Sequence, residues 1–141
     1  MVKRTSFKLI IKKIESPFSE NPQDKFNWIC ESFGLFHASG KEKAASFIFR
    51  ELIRAAEEDR KLALSDLVEI SGLSRGAITN HLNNLLLAGM IVKQGRFYYA
   101  RSKSVYRIIE EIEQDLLRIF SELKKNAIDI DTELGIRRNS K

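Results

Sequence analysis

In the stretch 64–101, hydrophobic residues first recur at the spacing of a helix and then form two short β-branched or aromatic runs. This pattern predicts two helices followed by a hairpin. Leu67 and Ile70 share one face of a short helix, for which Ser65 is the expected N-cap. A second apolar stripe recurs at the helical spacing i, i+4, i+7 and i+11, at Ile78, Leu82, Leu85 and Gly89. We therefore expect a short helix, a turn at residues 71–74 and a longer helix.

Turn and breaker residues fit these boundaries. Gly72 tolerates a positive φ, and Ser74 can cap the second helix. Ala88-Gly89 should end that helix. The β-branched and aromatic runs 91–93 and 96–100 then predict two strands joined at Gln94-Gly95.

Three elements are predicted before this stretch. Asp24 is the expected cap of a helix that follows a loop at 15–23, ends at Gly34 and has one apolar stripe, formed by Phe26, Ile29, Cys30 and Phe33. Ser39 and Glu42 have capping-box spacing for a second helix that runs to about Glu58. Leu62-Ala63-Leu64 can add a short strand to the hairpin.

The first fourteen residues are basic and apolar, and their spacing fits either a helix or a strand. Their β-branched content favours a strand. We expect this arm to pack on the domain or on a partner subunit, because its apolar side chains need cover. The alternative is an arm that contacts DNA through its basic residues, Lys3, Arg4, Lys8 and Lys12.

A long helix should begin at Ser102 or Ser104 and end the ordered part of the chain. Apolar residues recur along it at spacings of four and three, at Val105, Ile109, Ile112, Leu116, Ile119 and Leu123. A small domain cannot readily bury such a seam, so we expect these six residues to form the interface of a homodimer. The alternative is that the seam packs back on the helix ending near Glu58.

The segment GLSRGAITNHLNNLLLAGMI and the later QGRFYYAR resemble the winged-helix domain of small prokaryotic regulators, in particular the arsenic-repressor-like (ArsR) family. The family pattern L-S-x-x-x-[VI]-[ST]-x-H-L-x-x-L-x-x-A-G-L-V is matched by ten residues, Leu73, Ser74, Ile78, Thr79, His81, Leu82, Leu85, Ala88, Gly89 and Ile91. Leu86 and Leu87 depart from it, since the family usually has polar residues there. Residues 1–38 have no counterpart in the minimal family domain.

The resemblance implies a mainly α fold with a small β-hairpin. We expect an N-terminal extension (1–38), a winged helix-turn-helix domain (39–104), a C-terminal dimerisation helix (105–135) and a basic tail (136–141). A recognition helix at 74–88 would enter the major groove of duplex DNA. Its candidate DNA-binding residues are Ser74, Arg75, Gly76, Thr79, Asn80 and Asn83. The wing at 91–101 would contact the DNA backbone through Lys93, Gln94, Arg96 and Arg101.

Charge agrees with this expectation. The net charge is +5, and residues 91–104 contain four basic residues and no acidic ones. A basic hairpin beside a helix-turn-helix is the electrostatic footprint expected of a DNA-binding surface. The chain has no apolar run long enough for a transmembrane span, and its single cysteine fits a reducing cytoplasm.

Residues that would support catalysis or metal binding are sparse. One cysteine and two separated histidines cannot fill a four-coordinate metal site within one chain, so we expect neither a metal nor a cofactor. For His81 a structural hydrogen bond is favoured over metal ligation, and for Cys30 a buried, inert thiol. No nucleophile–base pair or phosphate-cradling loop is recognisable, so we do not expect an enzyme.

Taken together, the sequence predicts a cytoplasmic, homodimeric, sequence-specific DNA-binding transcriptional regulator. We expect the aromatic segment 26–36 to be core. The alternative is an apolar pocket for a small-molecule effector, which the sequence does not identify. The alternative function is a winged-helix protein-interaction module in a larger assembly that has no DNA binding of its own. The apolar pair Leu86-Leu87 favours that alternative.

Overall fold

The computed structural model describes residues 8–35 and 44–137. In these ranges the chain is mainly helical with a small three-stranded antiparallel sheet, an architecture compatible with a winged helix. It divides into two compact units, Met1–Val105 and Tyr106–Lys141. The elements are α1 (Pro22–Ser32), α2 (Ala44–Glu57), β1 (Leu62–Ala63), α3 (Leu64–Ser71), α4 (Arg75–Leu87), β2 (Ile91–Gln94), β3 (Phe97–Ala100) and α5 (Val105–Leu134).

Helix α1 begins earlier than the sequence predicts, so Asp24 is not its cap. The Asn21 side chain accepts a hydrogen bond from the Gln23 main-chain N–H at 2.9 Å, and Pro22 occupies the first turn. Proline suits that position because its fixed φ is helical and its missing N–H would have no helical partner. The helix ends at Ser32, before Gly34 in the left-handed region with φ of 72°.

Residues 8–14 form no strand, so that prediction is wrong for the described part of the arm. Main-chain N–H groups of Lys8 and Lys12 donate to the carbonyls of Leu87 and Ser32, at 3.1 and 2.7 Å. Leu87 and Ser32 are the last residues of α4 and α1, and carbonyls at a helix end have no partner within the helix. The segment therefore makes single hydrogen bonds to two helix ends and does not pair with a strand. Lys3 and Arg4 lie outside the described residues, as does the predicted capping box of Ser39 and Glu42.

The core of the first unit is organised around α2, which packs against α1, α4 and β3. Phe49 is fully buried, and its ring centroid lies 5.4 Å from that of Phe26 in α1. After α2, Asp59 has a φ of 53°, and the Arg60 N–H donates to the Ala55 carbonyl at 2.8 Å. The other large side chains that are completely or almost completely buried in this unit are Ile48, Leu52, Leu67, Ile78, Leu82, Leu85, Met90 and Ile91.

Strand β1 runs directly into α3, so Ser65 is not the N-cap. The cap residue is Ala63, which has no side-chain acceptor. Its main-chain N–H instead donates to the Asp66 carboxylate at 2.8 Å, which satisfies one donor at the start of the helix. Gly72 ends α3 with a φ of 73°, as the turn prediction requires.

The sheet has the order β1-β3-β2, so the hairpin's second strand is central. Leu62 pairs with Tyr98, and Ile91 pairs with Ala100. The sheet packs on α2 through β3 and on α4 through β2. The hairpin therefore projects from the same small core that holds α3 and α4.

In the second unit, α5 is continuous to Leu134, and Gly135 follows with a φ of 70°. Exposure rises along its apolar face: Ile112 is 2% exposed, Ile119 40% and Leu123 57%. Among the described helices none has the length and apolar content needed to cross a membrane.

Candidate nucleic-acid interface

Helix α4 presents a polar face to solvent and an apolar face to the core. Ser74 caps it, accepting from the Ala77 N–H at 3.1 Å, as predicted. Ile78, Leu82 and Leu85 are fully buried and fix the helix on α2 and α3. Of the predicted contact residues, Thr79 is half-buried, and five are exposed, namely Ser74, Arg75, Gly76, Asn80 and Asn83.

The hairpin turn lies one residue further along the chain than predicted. Gln94 pairs with Phe97, so Gly95 and Arg96 form a two-residue turn and Arg96 is not in the strand. Gly95 has a φ of 62°, the conformation that a type II′ turn requires at its first central position. Arg96 therefore lies at the hairpin tip.

The hairpin cations lie over aromatic rings of β3. Lys93 Nζ lies 5.3 Å from the centroid of Tyr98, which is its cross-strand partner. Arg96 Cζ lies 4.9 Å from the centroid of Phe97. Such contacts hold a flexible cation in place while leaving N–H groups able to donate to a ligand.

Arg75, Lys93 and Arg96 line one cavity of about 260 Å³ between α4 and the hairpin. The first residues of α3, Leu64 and Ser65, also line it. The Asp66 carboxylate accepts from the Ala63 N–H at this end of α3, so the positive charge at the cavity comes from the three cations. No carboxylate is among the lining residues in the described part of the chain. The cavity is thus suited to an anion such as a phosphate group.

Sequence reasoning named Arg75, Lys93 and Arg96 but did not bring them together, and it missed the other lining residues, Ala63, Leu64, Ser65 and Tyr98. Ser65 was predicted as a helix cap, whereas its position in the first turn of α3 places it at the cavity. Tyr98 could have been found from a two-residue turn at Gly95-Arg96, which pairs it with Lys93.

Arg101 lies apart from these cations. Its Nη1 donates to the Gly89 carbonyl at 3.3 Å, and its main-chain N–H donates to the Met90 carbonyl at 3.1 Å. Arg101 lines a different cavity, formed with the loop after α2. The structure therefore separates it from Lys93 and Arg96, with which the sequence grouped it.

Cys30 and His81, the two residues that the sequence analysis weighed for thiol chemistry and metal ligation, have a buried thiol and a buried ring nitrogen. Cys30 is completely buried, and burial raises the pKa of its thiol from 9.0 to about 12, against a smaller lowering by the Ser46 hydroxyl. The inert-thiol interpretation agrees with this environment. His81 Nδ1 is buried without a hydrogen-bond partner in the described part of the chain, so the structural hydrogen bond expected of His81 is not found at that nitrogen.

Across residues 8–35 and 44–137, no group of three or more His, Cys, Asp or Glu side chains is arranged to hold a metal ion. Comparison of the chain with models of protein families, with curated proteins and with solved structures found no match.

The six predicted interface residues all belong to α5, as expected. Val105, Ile109 and Leu116 are half-buried, Ile112 is buried at 2% exposure, and Ile119 and Leu123 are exposed. The apolar face continues beyond them along the helical period, with Phe120, Ile130 and Leu134 between 49% and 67% exposed. The second half of α5 thus presents an apolar stripe that the described residues do not cover.

Proposed function

We propose that this protein is a sequence-specific, duplex-DNA-binding transcriptional regulator of the winged-helix type that acts as a homodimer. The observation that carries the proposal is the cavity lined by Arg75, Lys93 and Arg96. It lies between the start of an exposed polar helix and the tip of a hairpin. In DNA-binding winged helices these two elements enter the major groove and contact the backbone.

In this proposal α4 reads bases and the cavity binds a backbone phosphate. Asparagine pairs with adenine through two hydrogen bonds, which suits Asn80 and Asn83 on the exposed face. Arginine can read guanine in the same way. Arg75 lines the same cavity as Lys93 and Arg96, which instead supports a phosphate contact, since a cavity lined by three cations matches an anion better than a base edge.

The second copy is proposed to pair along α5. Apolar side chains exposed in a contiguous stripe are costly in a monomer, and an equivalent helix can cover them with a self-complementary surface. A homodimer also presents two recognition helices, as two half-sites on DNA require.

The proposal is tested by measuring the affinity for a random-sequence duplex at several salt concentrations, using fluorescence anisotropy. We expect binding whose log affinity falls linearly with log salt. A triple variant, Arg75→Gln, Lys93→Gln and Arg96→Gln, should reduce the slope by about 0.9 for each phosphate that is no longer neutralised. Lys25→Gln is the matched control, because Lys25 is exposed on α1 and pairs with Glu20 at 3.4 Å.

The second candidate function is a protein-interaction module. Leu87, at the end of α4, is 37% exposed, and Val92 on β2 is 40% exposed. An interaction module would bind the random duplex weakly at about 50 mM salt and would show no difference between the triple variant and Lys25→Gln. That result would contradict the DNA-binding proposal.

A further inference from the structure

The ring of Phe97 in β3 brings together two cations that are far apart in the sequence. Lys61, which directly precedes β1, has its Nζ 5.5 Å from the ring centroid. Arg96, in the hairpin turn, has its Cζ 4.9 Å from the same centroid. Both distances are within the range of about 6 Å at which a cation is attracted to the face of an aromatic ring. Two positive charges therefore lie within 5.5 Å of one point on the sheet.

Phe97 can hold these cations in place because its own position is fixed. In the central strand it pairs with Ala63 on one side and with Gln94 on the other. Its side chain is half-buried, whereas Lys61 and Arg96 are exposed. Long basic side chains lose conformational freedom when they bind a ligand, so a ring that already orients them reduces that loss.

The two charges at the ring are not neutralised within the described part of the chain, where neither cation has an ion pair or a side-chain hydrogen bond. Two carboxylates precede Lys61 closely in the sequence, and both face other cations. Glu58 is paired with Arg60 at 2.6 Å. The Asp59 carboxylate lies 3.9 Å from Lys103 Nζ. Because like charges held close together repel each other, an anion that contacts both is attracted to them.

The cations of the hairpin are held over both faces of the sheet. Successive side chains of a strand project to opposite faces, so Phe97 and Tyr98 face opposite ways. Lys93 lies over Tyr98, whereas Lys61 lies over Phe97. Arg96, at the tip, lines the cavity shared with Lys93 and also lies over Phe97. A hairpin with cations on both faces suits a position between two phosphate chains, such as the strands that border a groove of duplex DNA.

We propose that Lys61 and Arg96, positioned by Phe97, form a second binding site for a DNA backbone phosphate, in addition to the cavity. This inference rests on the proposed DNA-binding function. Lys61, which was not among the contact residues predicted from the sequence, is then a phosphate contact, and Phe97 is a positioning residue that acts through the two cations. A phosphate group has several acceptor oxygens, so it can accept charge-assisted hydrogen bonds from an ammonium and a guanidinium together.

The placement of the two cations is tested without DNA, by NMR of the full chain. Protons above an aromatic ring are shielded, so the side-chain methylene signals of Lys61 and Arg96 should be shifted upfield. Phe97→Leu should return them to the positions usual for lysine and arginine, and Phe97→Tyr, which keeps the ring, should leave them shifted. Unshifted methylene signals in the wild-type protein would overturn the positioning role, whether or not Phe97→Leu folds.

The phosphate contact is tested by the salt dependence of binding to a random-sequence duplex. Lys61→Gln should lower the slope of log affinity against log salt by about 0.9 for each phosphate that is no longer neutralised, or about 1.8 for a dimer. Lys61→Arg keeps the charge and should retain the slope. Lys25→Gln, the exposed control on α1, should also leave it unchanged. Wild-type binding together with an unchanged slope in Lys61→Gln would refute the contact while leaving the proposed function intact.

A double-mutant cycle separates positioning from a general effect on the fold. Phe97→Leu should weaken duplex binding about two- to fivefold for each cation that it releases, and Phe97→Tyr should restore binding. In a Lys61→Gln background, Phe97→Leu should weaken binding less, because one of the two cations is already absent. Equal weakening in both backgrounds would show that Phe97 does not act through Lys61. A wild-type protein that binds no duplex at about 50 mM salt would instead refute the proposed function and this contact together.

Discussion

The side chain of Ile10 fills the space beside Gly34: a Cβ added to Gly34 would lie 3.1 Å from Ile10 Cγ2. Gly34 also has a φ of 72°, which residues with a Cβ adopt at a cost. The N-terminal segment therefore depends on a glycine at the end of α1 for its close approach.

Gly34→Ala should destabilise the protein by about 1–2 kcal/mol for the left-handed backbone, with an added destabilisation from crowding Ile10. Gly72→Ala is the matched control, since Gly72 has a φ of 73° and no atom within 4 Å of an added Cβ. Urea denaturation measures both. If the free energy of unfolding falls equally in the two variants, the contact with Ile10 contributes nothing to stability. Repeating Gly34→Ala in an Ile10→Ala background should remove the extra destabilisation.

Gly76→Ala should change stability and DNA binding in opposite directions. Gly76 lies in the first turn of α4 without a positive φ and has open space around it, so alanine should stabilise the helix by up to about 1 kcal/mol. In the proposed complex the added methyl group would crowd the DNA. A thermal melt and an anisotropy titration report the two effects. A stabilised variant with unchanged DNA affinity would place the first turn of α4 away from DNA.

Asn80→Ala should remove sequence preference while leaving non-specific binding nearly intact. The expected decrease in binding free energy is about 1–3 kcal/mol on a selected site and little on random duplex, because base contacts specify and phosphate contacts do not. Asn126→Ala, on exposed α5, is a control. Equal decreases on both duplexes would mean that Asn80 does not read a base.

Arg96→Ala should lower the salt slope of binding by about 0.9 for each phosphate that Arg96 neutralises, or about 1.8 for a dimer. The reason is its position at the hairpin tip, in the turn with Gly95. Arg54→Ala, which removes an exposed cation from α2, serves as control. Duplexes with A·T-rich and G·C-rich flanks separate a phosphate contact from minor-groove insertion. A decrease in affinity confined to A·T-rich flanks would favour insertion.

If the protein forms the proposed dimer, Leu123→Asp should convert it to monomer without unfolding the first unit. Leu123 is 57% exposed in the single chain, so the carboxylate becomes buried only in a pair. Leu117→Asp is matched in chemistry and exposure, at 63%, but lies off the predicted seam and should remain dimeric. Sedimentation velocity at about 10–50 µM distinguishes the species, a range in which weak dimers dissociate. A monomeric wild-type protein would contradict the predicted interface.

Local signals in the sequence were sufficient for α4 and its turn. The Ser74 cap, the positive φ of Gly72 and the buried stripe at Ile78, Leu82 and Leu85 are all as predicted. Each of these depends on residues within one or two turns of helix. The hairpin was found for the same reason, although its turn was placed one residue early.

The incorrect predictions concern two kinds of residue. Some form hydrogen bonds with residues far along the chain, and others occupy a position for which their side chain is not typical. Ala63 has no side-chain acceptor and so is not recognisable as a helix cap in the sequence. The hydrogen bond from the Ala63 N–H to the Asp66 carboxylate was therefore not predicted. Pro22 was predicted to lie in a loop, although it begins α1. The acceptor of the Lys8 N–H is Leu87, far along the chain, and no local pattern indicates such a bond. The cavity joining Arg75 to the hairpin cations depends in the same way on tertiary proximity.

The absence of any residue between β1 and α3 has a mechanical consequence. Leu62 is held by Tyr98 in the central strand, and the next residue but one, Leu64, already belongs to α3. Without a hinge at this point, the hairpin and the start of α3 are expected to shift as one rigid body. In the proposed complex with DNA, such a rigid body would adapt little to the groove. Fitting different operators would then be left to side-chain rotamers and to bending of the duplex, whose stiffness depends on sequence.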